Sequence, residues 1–565
     1  MSAGGIFIDP TILGKRLNAI YDRWIDSEAS HAEGFGSDGA RADALCIITG
    51  KTTDELRYMK SIALEMWLFA YELPETLIVL LPNRQVHVVT GKTKANLISA
   101  TKDKLKEAAK SIDLTIHVRS KGTTGEDHFN AVLGAAKGAR PEGSSTLSVG
   151  SLLKDKHEGA FFDTWKKCVA SFDGGKAKEI DVALGFSHLL ACKSSDEQTC
   201  AKKAAYLATQ CMRNFVIPKL EETIDEERKV KHSTLSAQIE DRILEPSKLE
   251  VRLKQDKVNI CYSPILQSGG DYDVKLTAQS KDTLLSSDTI LCSLGARYAS
   301  YCSNVARTIF VDPTKDQQRH YQALLKAQAA AIDALREGVM LRDVYKAAVN
   351  ELEKEGCPEL RQHLSRNVGF GMGLELRESS FVINEKSERK ATPGMVFNLS
   401  VSVVGVSSGK EKEGSSDQPA KYAMQIADTV LVTQEGNAPE ILTDVPKTYK
   451  DVAYVMNEDD EDVEEVLPAK RTSALRPSRE QNQATEESKQ AEEMRKAKQD
   501  ELTQKINEET LRFLTHAKQS DGDVKSKEIK VSHVVRVGGP SLPLPSPPFP
   551  SFPAFTSFPS PHFVY

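Results

Sequence analysis

Three glycines at alternate positions, Gly369, Gly371 and Gly373, stand inside the segment GFGMGLELRE (369–378). Glycine repeated in a strand-like run marks a backbone that other groups approach closely, since a Cβ would hold them off. Close packing is reason enough for these glycines, without any contact to a ligand. Runs rich in β-branched and apolar residues surround the segment. TILCSLGARY (289–298), GMVFNLSVSVVG (394–405) and YAMQIADTVLVT (422–433) read as strands. Two helices are expected between the first of these and the glycines, over 317–338 and 342–356, each ending at a glycine. A longer helical stretch, 196–220, opens this part of the chain, and Pro218 is expected to kink or end it.

The first 175 residues read as a separate small α/β lobe. ALCIITG (44–50) is a strand candidate, and SIALEMWLFAYEL (61–73) has helical apolar spacing. TLIVLLP (76–82) and QVHVVTG (85–91) look like paired strands around Pro82-Asn83-Arg84. Strands that alternate with helices imply layers of sheet and helix. The chain is therefore expected to be α/β (α+β), with a lobe over 1–175 and a larger domain over 176–440.

The character changes after 440. Seven acids, Glu458, Asp459, Asp460, Glu461, Asp462, Glu464 and Glu465, crowd into residues 458–465, and like charges at that density resist folding. From about Ser478 to His516 the apolar positions keep no sustained heptad, which favours a solvated helix over a coiled coil. Residues 441–520 thus read as an acidic linker and charged helix. Nine prolines fall between Pro540 and Pro561, so 521–565 is expected to be an extended or disordered tail.

Composition excludes several classes of function. The net charge of −6 carries no basic excess for phosphate contacts, which argues against sequence-specific DNA binding. No apolar run is long enough to span a membrane, and the N-terminus lacks a secretory pattern, which leaves the cytosol or the nucleus. The nine cysteines include no Cys-x-x-Cys pair, so they read as buried or idle thiols.

Four segments occur in the order found in the creatinase/aminopeptidase "pita-bread" family. SLGARYASYCSNVARTIFVDP (293–313) resembles its Asp-x-Gly and Gly-Tyr-x-x-Asp segment. GFGMGLELRE resembles its Gly-His-Gly-x-Gly-Leu-x-x-His-Glu. PGMVFNLSVSVVG (393–405) is similar to its Pro-Gly-Met-x-Phe-x-x-Glu-Pro. QIADTVLVTQEG (425–436) is similar to its Arg-x-Glu-Asp-x-x-x-Val-Thr-x-x-Gly. The resemblance implies a creatinase-like lobe followed by a pita-bread domain. The enzymes of that family hold two metal ions with two Asp, one His and two Glu, which activate a water. Here the two Asp positions fall on Ser293 and Asn304, the His on Phe370, and the two Glu on Ser400 and Ala427. The family's substrate-holding His falls on Arg377. Four carboxylates are gone, and hard divalent ions need charged oxygen donors. No metal, no cofactor and no catalytic residue are expected. Phe370 is expected to fill the vacated cavity, and Arg377 to pair with Glu378 or Asp428. The remnant pocket, Ser293, Asn304, Phe370, Arg377, Ser400 and Ala427, is a candidate for peptide contact.

IDPTILGKRLNAIYDRW (8–24) and YELPETLIVL (71–80), together with 293–313, resemble a non-catalytic branch of this group, the large-subunit family of the FACT histone chaperone, in its plant form. That resemblance implies core histones and nucleosomes as partners, a place in the nucleus and on chromosomes, and work in transcription, replication and repair. It also implies an HMG-box partner subunit, although in the family that contact lies beyond the part represented here. An active aminopeptidase or prolidase, and a chaperone fragment without function, are the competing readings.

Overall fold

The computed structural model describes residues 7–26, 34–37, 40–51, 58–109, 111–140, 145–408 and 421–455. These residues lie in one compact unit. The acidic run at 458–465, the expected helix at 478–516 and the proline-rich tail lie outside the described residues.

The lobe opens with helix α1 (Pro10–Tyr21), started by Asp9, whose carboxylate accepts from the Thr11 and Ile12 amides. That side chain satisfies two of the free N–H groups of the first turn, and Pro10 needs no partner there. A mixed six-stranded sheet follows. Its strands are β1 (Ala44–Thr49), β2 (Thr76–Leu80), β3 (Gln85–Gly91), β4 (Asp113–Arg119), β5 (Leu147–Ser151) and β6 (Ala177–Asp181), in the order β4-β3-β2-β1-β5-β6. The expected pairing of the second and third strands is present, antiparallel, with Ile78 opposite Val88. Helix α2 (Lys60–Phe69) covers one face.

The second domain begins with helix α3 (Ser195–Cys211), capped reciprocally by Ser194 and Glu197. Of the two outcomes expected at Pro218, a kink or an end, the end does not occur. The chain passes through one wide turn at Met212–Val216 and continues as α4 (Ile217–Asp225), with Pro218 in its first turn. The wide turn accommodates a residue that lacks an N–H, so the helix carries on.

The strand expected over 289–298 is also two strands in different sheets. A three-stranded sheet has β7 (Val258–Ile260), β10 (Ala296–Tyr298) and β11 (Tyr301–Cys302). The large sheet has β8 (Ile265–Gln267), β9 (Thr289–Leu294), β12 (Val305–Val311), β13 (Gly369–Gly371), β14 (Glu378–Ile383), β15 (Val396–Ser407) and β16 (Lys421–Leu431), in the order β8-β9-β12-β16-β15-β13-β14. Gly295 makes the break. A Cβ there would lie 2.8 Å from the Ser303 carbonyl oxygen and 2.9 Å from Cys261 Cβ.

Helices α5 (Lys315–Ala334) and α6 (Leu341–Lys354) pack on one face of the large sheet through Tyr321, Leu324, Ala327, Val344 and Leu352. Residues 441–455, expected to open a linker, are folded. β17 (Glu440–Ile441) pairs with β16, and β18 (Ala453–Tyr454) pairs with β12, so residues 441–455 belong to the folded core. Apolar spacing missed them because these elements are very short.

A shared core joins the lobe to the second domain. Trp67, Leu68 and Phe69 of α2 belong to the same buried cluster as Tyr301, Phe370, Met372 and Leu374. Polar contacts reinforce it. Lys60 meets Glu375 at 2.5 Å, Arg16 meets Glu197 at 3.0 Å, and the Tyr58 hydroxyl donates to the Cys261 carbonyl at 2.5 Å.

Candidate functional site

Sheet register brings the candidate residues together. Ser293 of β9 lies opposite Ala306 of β12, Ala306 opposite Ala427 of β16, and Ala427 opposite Ser400 of β15. These four form one row across adjacent strands. Phe370 of β13 lies opposite Asn398, two residues from Ser400 and so on the same face. Asn304 precedes β12 and reaches this face too, since its amide nitrogen donates to Asn398 Oδ1 at 3.0 Å.

The polar residues of the row bond to one another. The Tyr262 hydroxyl lies 2.7 Å from Ser293 Oγ and also donates to Asn304 Oδ1. Burial pushes the Tyr262 phenol well above its usual range, so it stays protonated as a donor. Asn304 uses its backbone as well, accepting from and donating to Thr429 Oγ1 at 2.9 Å each way. Gln425 donates to Ser400 Oγ at 3.1 Å. Asn304 and Ala427 are fully buried, Ser293 nearly so, and Ser400 partly exposed. Tyr262 was invisible to motif reading, because it lies far from Ser293 in sequence and belongs to no recognised segment.

Every carboxylate near the row faces a cation. Asp428 follows Ala427, so strand alternation turns it to the opposite face, toward α5. There it pairs with Arg307 at 2.8 Å and Lys447 at 2.6 Å, and accepts from Thr443 and Gln328. Glu378 pairs with Lys193 at 2.5 Å, both out of solvent. Burial raises the Glu378 carboxyl to about 7 even with Lys193 opposing the shift.

Arg377 pairs with neither Glu378 nor Asp428, contrary to expectation. Its guanidinium lies over the Phe370 ring, 5.3 Å from the centroid. With its amide oxygen turned toward it, Asn367 accepts from Arg377 at 3.2 Å. Such stacking suits a weakly hydrated planar cation. Phe370 itself packs into the shared core and is 8% exposed, whereas Arg377 is exposed.

The glycines are required by close approach. A Cβ on Gly369 would come within 2.6 Å of the Asn398 carbonyl oxygen. One on Gly371 would come within 2.7 Å of Glu378 Oε2, and one on Gly373 within 2.6 Å of Lys193 Cε. The glycine segment thus wraps the Lys193–Glu378 pair.

Residues at the five ligand positions offer two hydroxyls, one amide, a phenyl ring and a methyl group. Their side-chain oxygens are engaged by Tyr262 and Gln425, and the Asn304 amide nitrogen by Asn398. Such a set does not fit a pair of divalent ions, whose dehydration needs charged donors.

Two family models match the chain. Residues 8–185 match the FACT complex subunit SPT16 N-terminal lobe domain, and residues 199–434 match metallopeptidase family M24. The FACT complex subunit SPT16 of Zea mays is 40% identical over 526 residues, covering 92% of this chain and 48% of the relative. The chain therefore spans about half the length of the curated relatives it matches. The solved N-terminal domain of SPT16 from chickpea is 36% identical with a TM-score of 0.72, covering 79% of this chain and 100% of that one. An X-Pro aminopeptidase from Thermotoga maritima shares the fold at 17% identity and a TM-score of 0.51, covering 74% of this chain and 98% of that one. A lobe of the SPT16 type on a pita-bread domain whose metal positions hold no carboxylate places the chain in the FACT complex subunit SPT16 family.

Proposed function

We propose that this chain is a non-catalytic, histone- and nucleosome-binding component of the FACT chromatin complex. It works in the nucleus, on chromosomes, where it assists nucleosome reorganisation during transcription, replication and repair. One observation carries the reading: Ser293, Tyr262, Asn304 and Asn398 are joined in a chain of hydrogen bonds among neutral groups where the row would need charged metal ligands, inside a fold otherwise kept whole. A scaffold retained without its chemistry serves binding. Its relatives are named as subunits of the FACT complex.

Two parts of the chain suit such a partner. At the rim of the row, Arg377 stacked on Phe370 and the partly exposed Ser400 offer a mixed aromatic and polar surface. Arg377 repels a basic segment directly over it, so a histone segment would meet the rim through its neutral or acidic residues. The acidic run from Glu458 to Glu465 attracts basic partners over longer range, an effect that salt screens.

Titration calorimetry of core histone pairs into the purified chain, at low and at physiological salt, tests this. Affinity that survives physiological salt is the expected result, reduced by Arg377→Ala or Phe370→Leu if the rim makes contact. Absence of binding at both salts overturns the reading. Binding that vanishes as salt rises assigns the interaction to the acidic run alone.

A further inference from the structure

On the helix-covered side of the large sheet, opposite the row, three different donors converge. His320 projects from α5, and Cys357 and Glu359 stand at the start of the short helix Pro358–His363 that follows α6. One ligand atom from each lies within 4.8 Å of the others. His320 and Cys357 are buried, and Glu359 is exposed. Donors held by one tetrahedral ion at ~2.0–2.3 Å stand about 3.3–3.8 Å apart. His320 Nε2 and Glu359 Oε1 already stand 3.0 Å apart, so the remaining closure has to come from the Cys357 side chain.

A cation already stands among them. The Arg319 guanidinium is 3.1 Å from His320 Nε2, 3.1 Å from Glu359 Oε1 and 3.6 Å from Cys357 Sγ. His320 Nε2 is also 3.0 Å from Glu359 Oε1. These two contacts conflict. A guanidinium only donates, so it needs a lone pair on Nε2, while the carboxylate needs a proton there. A metal ion removes the conflict, since it takes the Nε2 lone pair and faces the carboxylate. On the other side of the ring, His320 Nδ1 is 2.6 Å from the Tyr422 hydroxyl, the outer partner that fixes a metal-binding tautomer.

We propose that His320, Cys357 and Glu359 form a binding site for a zinc-class divalent ion, with Arg319 as the resident cation that the metal displaces. A nitrogen, a sulfur and an oxygen donor suit zinc and its neighbours better than magnesium or calcium. On binding, the Cys357 thiol loses its proton to solvent, and neutral His320 coordinates through Nε2. Arg319 is about half exposed and swings toward Asp316, whose Oδ1 is 3.6 Å away. Cys357 coordinates only as the thiolate and His320 only as the neutral ring, so protons compete with the metal. Affinity should therefore fall as pH is lowered.

The test is a titration of the metal-free full chain with Co²⁺, read by the thiolate-to-cobalt absorption band, followed by displacement with Zn²⁺. One equivalent per chain is expected, with the band lost in Cys357→Ser and affinity about tenfold weaker in Glu359→Gln. Tyr422→Phe should weaken binding by about ten- to a hundredfold. Arg319→Ala should tighten it, and as a substitution at a half-exposed position it leaves folding aside. The proposal is overturned by an unchanged band in Cys357→Ser. It is equally overturned if neither the parent chain nor Arg319→Ala shows a band.

Discussion

Lys193 Nζ lies 2.5 Å from Glu378 Oε1, with the two side chains 1% and 4% exposed. Glu378 follows the glycine segment, and a lysine from the entrance to α3 supplies its counter-charge. Lys193 also donates to the Ala191 carbonyl at 2.8 Å. Removing one member of a buried pair strands the other, which costs about 3–5 kcal/mol. Lys193→Met should lower unfolding stability by that amount in urea denaturation. Adding Glu378→Gln should recover part of the loss, because the stranded charge is then gone.

The glycine segment makes a steric prediction. The group nearest to a Cβ on Gly369 is a backbone carbonyl oxygen of the neighbouring strand, at 2.6 Å, which does not rotate away. Gly369→Ala should cost about 1–3 kcal/mol or more by overpacking. Gly338→Ala is a useful contrast. A Cβ there meets nothing within 4 Å, so its cost comes only from the positive φ of 80°.

Stability should fall as pH rises from 4.5 toward 8, on account of Glu65. This residue of α2 is fully buried, and burial raises its carboxyl to about 8 from the ordinary 4.5, against opposing bonds from the Leu73 amide and Thr49. In that window the folded chain holds a proton that the unfolded chain has lost. The slope approaches about 1.4 kcal/mol per pH unit for one such group. Glu378 acts in the same direction up to about 7. Unfolding curves at several pH values should show a shallower decline in Glu65→Gln than in the parent chain.

The joint between lobe and second domain rests on few polar contacts. Lys60 and Glu375 form a 2.5 Å pair with both side chains under a tenth exposed. Lys60→Met leaves Glu375 buried without its cation. Hydrogen exchange should then speed up in α2 and around residues 372–376, while α5 and α6 keep their protection.

Much of this was legible in the sequence, for stated reasons. The long strands β15 and β16 announce themselves by apolar runs, and Gly369, Gly371 and Gly373 by their spacing. The expectation that no metal pair binds rests on side-chain identity at Ser293, Asn304, Phe370, Ser400 and Ala427. Other features depend on three-dimensional register. Asp428 was expected as a partner for Arg377, yet alternation along β16 turns it to the helix side, onto Arg307. Arg377 was expected beside a carboxylate, but those carboxylates were already held by Lys193 and by Arg307. Tyr262, the hub of the network, carries no motif. The cluster of His320, Cys357 and Glu359 needs two helices and a turn to meet, and no spacing rule reports that.

Hydrolysis bears most directly on the claim that this fold binds without cutting. The purified chain should be incubated with an Xaa-Pro dipeptide and excess Mn²⁺ or Co²⁺, and release of the amino acid followed against the same metal without protein. The expected result is no turnover above that background, since Ser293, Asn304, Phe370, Ser400 and Ala427 give two metal ions nothing to bind. Metal-dependent turnover that saturates with dipeptide concentration would contradict the account.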